Sequence, residues 1–272
     1  MTPAWLVDAL IAGRTAVFKS AGPADALYRR LTGQADLPPL WLRRHAGPVG
    51  RFESAARETT ETIERLGLVR KGDRVLDVGC GPAAMASHLG RLIGPAGRYV
   101  GFDVHAPSIA WARRRFEDDP RFRFDLAALA SPYGGRGAPV EQYRFPVEDA
   151  ACDFVLAKSV FTHLLEPEAR RYLAEIRRVL TPGRAAMITA FLFERGSLTG
   201  SGRSRLFPGT DETGAVRFHG SFRPRSAVAF ERALFLAMLD SAGLSVHQEI
   251  PGFYPGDADP PTGQDVLVLG HA

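Results

Sequence analysis

Cysteine is almost missing from this chain: Cys80 and Cys152 are the only two among 272 residues. Two thiols cannot staple a small disulfide-built domain. Both sit in apolar, strand-like surroundings, so they read as reduced core or near-site thiols of a cytoplasmic protein. No spacing of histidine, cysteine and carboxylate resembles a zinc site, and no metal is expected. No run of about 18 or more apolar residues exists, so no membrane span is expected. The amino terminus lacks a basic leader, and Asp8 interrupts its only apolar run (residues 4–11), so no signal peptide is expected. There is no block of like charge either. The formal net charge is +4, with 34 basic and 30 acidic side chains. The arginines are scattered, so nucleic-acid binding is not indicated. No internal repeat or heptad pattern is visible.

What remains is an ordinary globule, 45% hydrophobic and 24% charged, long enough for one large domain or two small ones. Residues 1–67 read as a mostly helical cap, broken at 37–40 and 47–50 by proline and glycine. Trp5, Leu6, Ala9, Leu10, Val17 and Phe18 could line one helix face there. Residues 52–66 form an amphipathic helix with Gly67 as its C-cap. From Arg74 the texture alternates. Strands are predicted at 98–103, 122–124, 153–157 and 185–193, helices at 108–116, 168–180 and 227–242, and two closing strands at 246–250 and 265–269. This is the pattern of an α/β, doubly wound, mostly parallel sheet over residues 68–272, with an N-terminal helical extension. Two stretches, 130–144 and 194–224, are irregular. The second lies just past a predicted strand end and reads as a lid-like insertion over an acceptor site.

The run Val75-Leu76-Asp77-Val78-Gly79-Cys80-Gly81-Pro82 carries the most information. Val75, Leu76 and Val78 suit a buried parallel strand. Gly79 and Gly81 allow a sharp turn and close approach to a ligand. Pro82 suits the first position of a helix. Gly79-x-Gly81-x-x-Ala84, with Asp103 at ribose-contact distance along the chain, fits NAD, FAD or S-adenosylmethionine equally. Asp77 tips the balance. A carboxylate aimed into the turn repels a pyrophosphate and suits a cationic amino acid moiety, which favours S-adenosylmethionine.

At this point the chain resembles the class I S-adenosylmethionine-dependent methyltransferases. Four segments carry the resemblance, in order: Val75 to Gly81; Gly101-Phe102-Asp103-Val104; Phe145-Pro146-Val147-Glu148-Asp149 running into Cys152-Asp153-Phe154-Val155; and Glu175-Ile176-Arg177-Arg178-Val179-Leu180-Thr181-Pro182-Gly183. The stretch Ser159-Val160-Phe161-Thr162-His163-Leu164 resembles a bacterial subgroup. The resemblance implies a seven-stranded sheet with an antiparallel final hairpin. It implies that Gly79, Cys80 and Gly81 lie against the methionine part of the cofactor, with Asp77 beneath. Asp103 would hold the ribose hydroxyls and Val104 would pack near the adenine. Lys158 would offer its backbone carbonyl to the cofactor, or simply be solvated. The chain departs from the pattern at Pro82, Ala83 and Ala84, where the subgroup has a glycine and a basic residue. The adenine-contacting polar residue falls on Asp125, or, in a shifted register, on Ala127.

A hydroxyl acceptor needs a base, and His163 is the first candidate, a packing or capping role being the ordinary alternative. His219 is the second. Arg195, Arg203, Arg205, Arg217, Arg223 and Arg225 crowd the irregular stretch and either bind an acceptor anion or form a solvated loop. No asparagine-proline-proline-aromatic run follows the fourth strand, which argues against methylation of DNA bases. The reading is a methyltransferase acting on a small molecule, at oxygen. The alternatives are an RNA or protein methyltransferase, a non-catalytic cofactor-binding protein, and an NAD-linked oxidoreductase, which Asp77 disfavours. Oligomeric state is not legible.

Overall fold

A computed structural model describes residues 16–44, 49–129, 137–195, 207–218, 227–252 and 263–272. Its centre is a parallel sheet of β1 (Arg74–Val78), β2 (Arg98–Asp103), β3 (Phe122–Leu126), β4 (Cys152–Ala157) and β5 (Leu180–Phe193). The spatial order is β3-β2-β1-β4-β5. The chain steps outward from β1 to β3, then returns to the other side of β1, so the order reverses between β1 and β4. Open α/β sheets bind ligands at such a switch point, outside the carboxyl ends of the strands. The antiparallel hairpin of β9 (Leu244–Ile250) and β10 (Asp265–His271) completes seven strands, with β10 paired to β5.

Alternation along the central strands separates two apolar layers. Val75 of β1, with Phe154 and Leu156 of β4, faces α3 (Phe52–Arg65), α4 (Ala86–Ile93) and α5 (Ala106–Arg115). Leu76, Val78, Val155 and Ala157 face the opposite layer, with α6 (Glu166–Val179) and α7 (Arg232–Ser241). The helix expected over 52–66 is α3, and it buries Phe52, Ala56, Thr60 and Ile63 at helical spacing. Ahead of it, α1 (Gly22–Leu31) is tied to α2 (Leu40–Arg43) by the buried Asp25. That carboxylate receives Arg29 at 3.0 Å, Arg43 at 2.7 Å and the Leu40 N–H at 3.1 Å. Trp5, Leu6, Ala9 and Leu10 lie outside the described residues.

Three expectations are corrected. Among the described residues the sheet has ten strands rather than seven, because β5 runs on past its neighbours. Its end, Phe191–Phe193, pairs in parallel with β8 (Val228–Glu231), which continues into β7 (Val216–Phe218) and β6 (Gly209–Thr210). The stretch read as irregular therefore contains packed structure, with Phe207 and Val216 buried. The helix predicted over 227–242 opens as β8, because Val228, Ala229 and Phe230 complete that extension and only Arg232 onward is helical. The helix after β1 starts at Ala86, not Pro82. Ala83 adopts a left-handed conformation (φ 59°), which interrupts helical progression. Among the described residues, no helix is long and apolar enough to cross a membrane.

The connection before β4 is pinned by Glu175 of α6, which is buried. Its carboxylate accepts the Phe145 N–H at 2.8 Å and pairs with Arg178 at 2.6 Å and Arg171 at 3.1 Å. Burial alone would raise its pKa, but Arg178 and the Phe145 N–H hold it below the usual range. This stabilisation is present above the unfolded carboxylate pKa and is lost as pH falls through the lower folded value. Glu175→Ala should cost about 2–4 kcal/mol of unfolding free energy, measured by urea titration at neutral pH, because it leaves the buried Phe145 N–H without its acceptor and removes the carboxylate shared by Arg171 and Arg178.

Candidate active site

A cavity of about 500 Å³ opens at the carboxyl edge of the sheet, at the switch point. The strand register explains its composition. Asp77 is level with Gly101 and with Leu156, so the chain leaves β1, β2 and β4 at nearly the same height. The residues that follow each strand, Gly79 to Gly81, Val104 with His105, and Lys158 to Val160, therefore share one rim. The turn after β1 folds onto β2: the Gly79 and Cys80 N–H groups both donate to the Phe102 carbonyl, at 2.9 and 3.0 Å. Gly79 has φ 69°, and a Cβ there would lie 2.8 Å from the Val160 side chain. Gly81 has φ 52° and faces open space, so its backbone is bare to whatever enters.

Two carboxylates define the floor. Asp103 accepts the Gly81 N–H and the His105 N–H, each at 2.8 Å, one on each oxygen. Burial raises its pKa, partly offset by these backbone donors. Asp77 is buried and accepts the Tyr99 hydroxyl at 2.6 Å. Burial pushes its pKa up to about 7. Tyr99 lowers it, Asp103 raises it and Lys158 lowers it. The Lys158 ammonium is in turn pulled down by burial and held up by Asp77. Cys80 is a buried thiol whose pKa burial drives well upward, so it lines the cavity as a neutral group.

Asp77, Gly79, Cys80, Gly81, Asp103, Val104, Lys158 and His163 all line this one cavity. Asp125 does not. It lies within β3, pairs with Arg123 at 3.0 Å and stays away from the cavity, while Ala127 is spent on bonding its N–H to the Asp103 carbonyl. The chain reaches the cavity two residues later, at Leu129. His219 lies outside the described residues, as do Arg203, Arg205, Arg223 and Arg225. Of the other two arginines in that group, Arg195 pairs with Glu231 at 2.8 Å and Arg217 stacks over the Phe193 ring. None of the described part of 194–224 lines the cavity.

Sequence reasoning missed Arg44, His105, Glu168, Tyr172 and Gln264. His105 follows Asp103 closely enough to have been suspected. Its Nδ1 lies 2.7 Å from the Ser108 hydroxyl, and Trp41 meets its ring edge-on at 6.5 Å. Gln264 carries no local signal, because only the return of β10 to the edge of β5 brings it there.

Residues 76–188 match the family model described as a methyltransferase domain. That match covers about two fifths of the chain, from within β1 to within β5. Among curated relatives of this domain, the fatty-acid O-methyltransferase of Mycolicibacterium smegmatis is 34% identical over 113 residues, 42% of this chain and 35% of that one. The chain spans about a third of the length of the curated relatives it matches. A 1,6-didemethyltoxoflavin-N1-methyltransferase from Burkholderia thailandensis, solved with 1,6-didemethyltoxoflavin and S-adenosylhomocysteine, aligns with a TM-score of 0.55 at 19% identity. That alignment covers 85% of this chain and 84% of the other. The cyclase SpnF aligns almost as well, with a TM-score of 0.54 at 19% identity over 80% of this chain and 81% of its own. At such identities the likeness is one of fold.

Asp77 gives this cavity a pH signature. A cationic ligand binds the ionised carboxylate, so with a free-state pKa of about 7 the site must shed a proton to bind below neutrality. Affinity for S-adenosylmethionine should fall by up to about tenfold per pH unit from about pH 7 toward about pH 5.5. Calorimetry in buffers of different ionisation enthalpy should register proton release over that range, and Asp77→Asn should abolish it.

Proposed function

We propose that this protein transfers the methyl group of S-adenosylmethionine to a hydroxyl oxygen of a small, largely apolar acceptor. The observation that carries the reading is the convergence of Asp77, Asp103, the bare Gly81 turn and His163 on a single cavity. The residues fit the cofactor chemically. Asp103 has both oxygens oriented by backbone N–H groups, with lone pairs left for a ribose diol. Asp77 suits the cationic methionine portion, and an electronegative floor of two carboxylates is a poor match for a pyrophosphate. Val104 and Leu129 offer apolar surface for the adenine, the role first assigned to a polar residue.

Bound there, the cofactor supplies an electrophilic methyl on a sulfonium. The protein's own part is to exclude water, align the acceptor and remove its proton. Asp77 and Asp103 would hold the cofactor with its methyl toward the acceptor oxygen, and the sulfur would keep the carbon–sulfur electron pair when the methyl is transferred. The hydroxyl proton passes to His163. That histidine sits in a short helical turn, residues Phe161–His163, between β4 and α6, its N–H bonded to the Val160 carbonyl at 2.9 Å. Phe52, Val140, Leu164 and Tyr172 give the rest of the wall an apolar character suited to an organic acceptor rather than to a polyanion. The name of the Mycolicibacterium relative, a fatty-acid O-methyltransferase, supports both the oxygen and the apolar acceptor. The likeness to a cyclase keeps a second reading alive, in which the cofactor site serves a reaction other than methyl transfer.

Asp103→Ala removes charge-assisted bonds worth about 1.5–3 kcal/mol and should weaken S-adenosylhomocysteine binding about tenfold or more in a folded protein. Calorimetry checks this, and unchanged affinity would show the ribose to lie elsewhere. His163→Ala should leave that affinity nearly intact while lowering methyl transfer, followed with radiolabelled cofactor, by about 10²–10⁴-fold. Normal turnover in this variant would remove His163 as the base. Tight cofactor binding without labelled product across hydroxyl, amine and thiol acceptors would favour the second reading.

A further inference from the structure

We propose that Gln264 is the specificity-determining residue of this site, donating its amide N–H to a carbonyl or carboxylate oxygen of the acceptor. The inference rests on the methyl-transfer reading and narrows its acceptor to molecules with such an oxygen beside the reacting hydroxyl. Gln264 immediately precedes β10. That strand runs antiparallel to β5, so its start lies at the carboxyl edge where the cavity opens.

The orientation of the amide is dictated by two hydroxyls. Thr189 Oγ1 accepts the Ser159 N–H at 2.7 Å, and its single hydrogen then goes to Gln264 Oε1 at 2.5 Å. With the Thr189 hydrogen and the Ser159 hydroxyl both turned toward it, the oxygen of the amide, not its nitrogen, faces this pair. The Ser159 hydroxyl donates to the same Oε1 at 3.0 Å. Both lone pairs of the carbonyl are then filled. The two N–H groups of Nε2 make no hydrogen bond among the described residues, and the side chain lines the cavity. A fixed, unspent donor on a pocket wall is what reads a polar atom on a ligand.

The backbone points the same way. Ser159 is a non-glycine residue held at φ 58°, a conformation that costs energy and persists only where surrounding bonds impose it. Here the Ser159 N–H is held by Thr189, its hydroxyl by Gln264, and its carbonyl accepts the Thr162 hydroxyl at 3.0 Å. The same short connection carries His163. The donor and the base therefore belong to one clamped unit, which positions an acceptor by its carbonyl oxygen while its hydroxyl meets the histidine.

The test uses the full chain saturated with S-adenosylhomocysteine, titrated with 3-hydroxyacetophenone and with 3-ethylphenol, whose hydroxyl and ketone cannot bond to each other. These probes have nearly the same shape, and the ketone oxygen is their main difference. The wild-type protein should bind the ketone about tenfold more tightly. Gln264→Glu keeps an acceptor for Ser159 and Thr189 but replaces the donor by a second acceptor. It should erase or invert the preference without changing S-adenosylhomocysteine affinity. Thr189→Val, which frees the amide to turn over, should narrow the preference, and Thr189→Ser should retain it. Equal wild-type affinities, no binding of either probe, or a preference that survives Gln264→Glu would overturn the proposal. Failure to bind S-adenosylhomocysteine at all would overturn the underlying methyl-transfer reading instead.

Discussion

Two backbone N–H groups, from loops that follow two different strands, meet on one carboxylate. Gly81 after β1 and His105 after β2 both donate to Asp103, at 2.8 Å. This convergence fixes the glycine turn against the end of β2 and sets the shape of the rim. It works only because β1 and β2 are in register to within one residue at their carboxyl ends, which the parallel pairing of Val78 with Phe102 secures. Shift either strand by one residue and every side chain changes face. The hydrophobic alternation that keeps Val75 in one layer and Leu76 in the other is therefore also what aims Asp103 at Gly81.

The floor of the site is kept in tension by burial. Asp77 has one hydroxyl donor, from Tyr99, and its pKa is pushed up to about 7 chiefly because the charged form is cut off from water. A carboxyl whose folded pKa lies above its unfolded value of about 4 contributes stability at low pH and loses it as pH rises through the folded value. For the free protein, Asp77 is thus a liability at neutral pH, eased by the partly buried Lys158. A bound cation reverses the sign by favouring the ionised form. Binding and folding are then coupled through one group, as expected of a site that trades intrinsic stability for affinity.

The residues expected around the cofactor, apart from Asp125, line one cavity, and they could be picked out of the sequence because they belong to local motifs. The strand–glycine–helix segment from Val75 and the strand ending at Asp103 are contiguous motifs, and the sheet that brings them together follows from their alternation. Asp125 was misplaced because register at the end of a short strand cannot be counted from sequence. Its side chain is engaged by Arg123, and the cavity is reached only at Leu129. The start of α4 was misjudged by four residues, since nothing in Pro82-Ala83-Ala84 announces a left-handed alanine. β6 and β7 were read as irregular because both are short and separated by turn-forming residues, and β8 was read as the start of a helix. Gln264 was invisible for a different reason. Its role arises from a contact spanning 105 residues of sequence, to Ser159, and another spanning 75, to Thr189.

This division has a consequence for what relatives can say about the acceptor. The family match ends at residue 188, one residue short of Thr189, and begins at 76, after α3. Arg44, Phe52, Ala55 and Ala56 on one side of the cavity, and Gln264 on another, all lie outside it. The matched stretch therefore contains Asp77, the glycine turn, Asp103, Lys158, Ser159 and His163, while the flanks contribute other parts of the cavity wall. Similarity within 76–188 carries information about the cofactor and the reaction centre. On the proposed reading, the shape and polarity of the acceptor would be set in part by Phe52, Ala55 and Ala56 of α3 and by Gln264 before β10, none of which the family match covers.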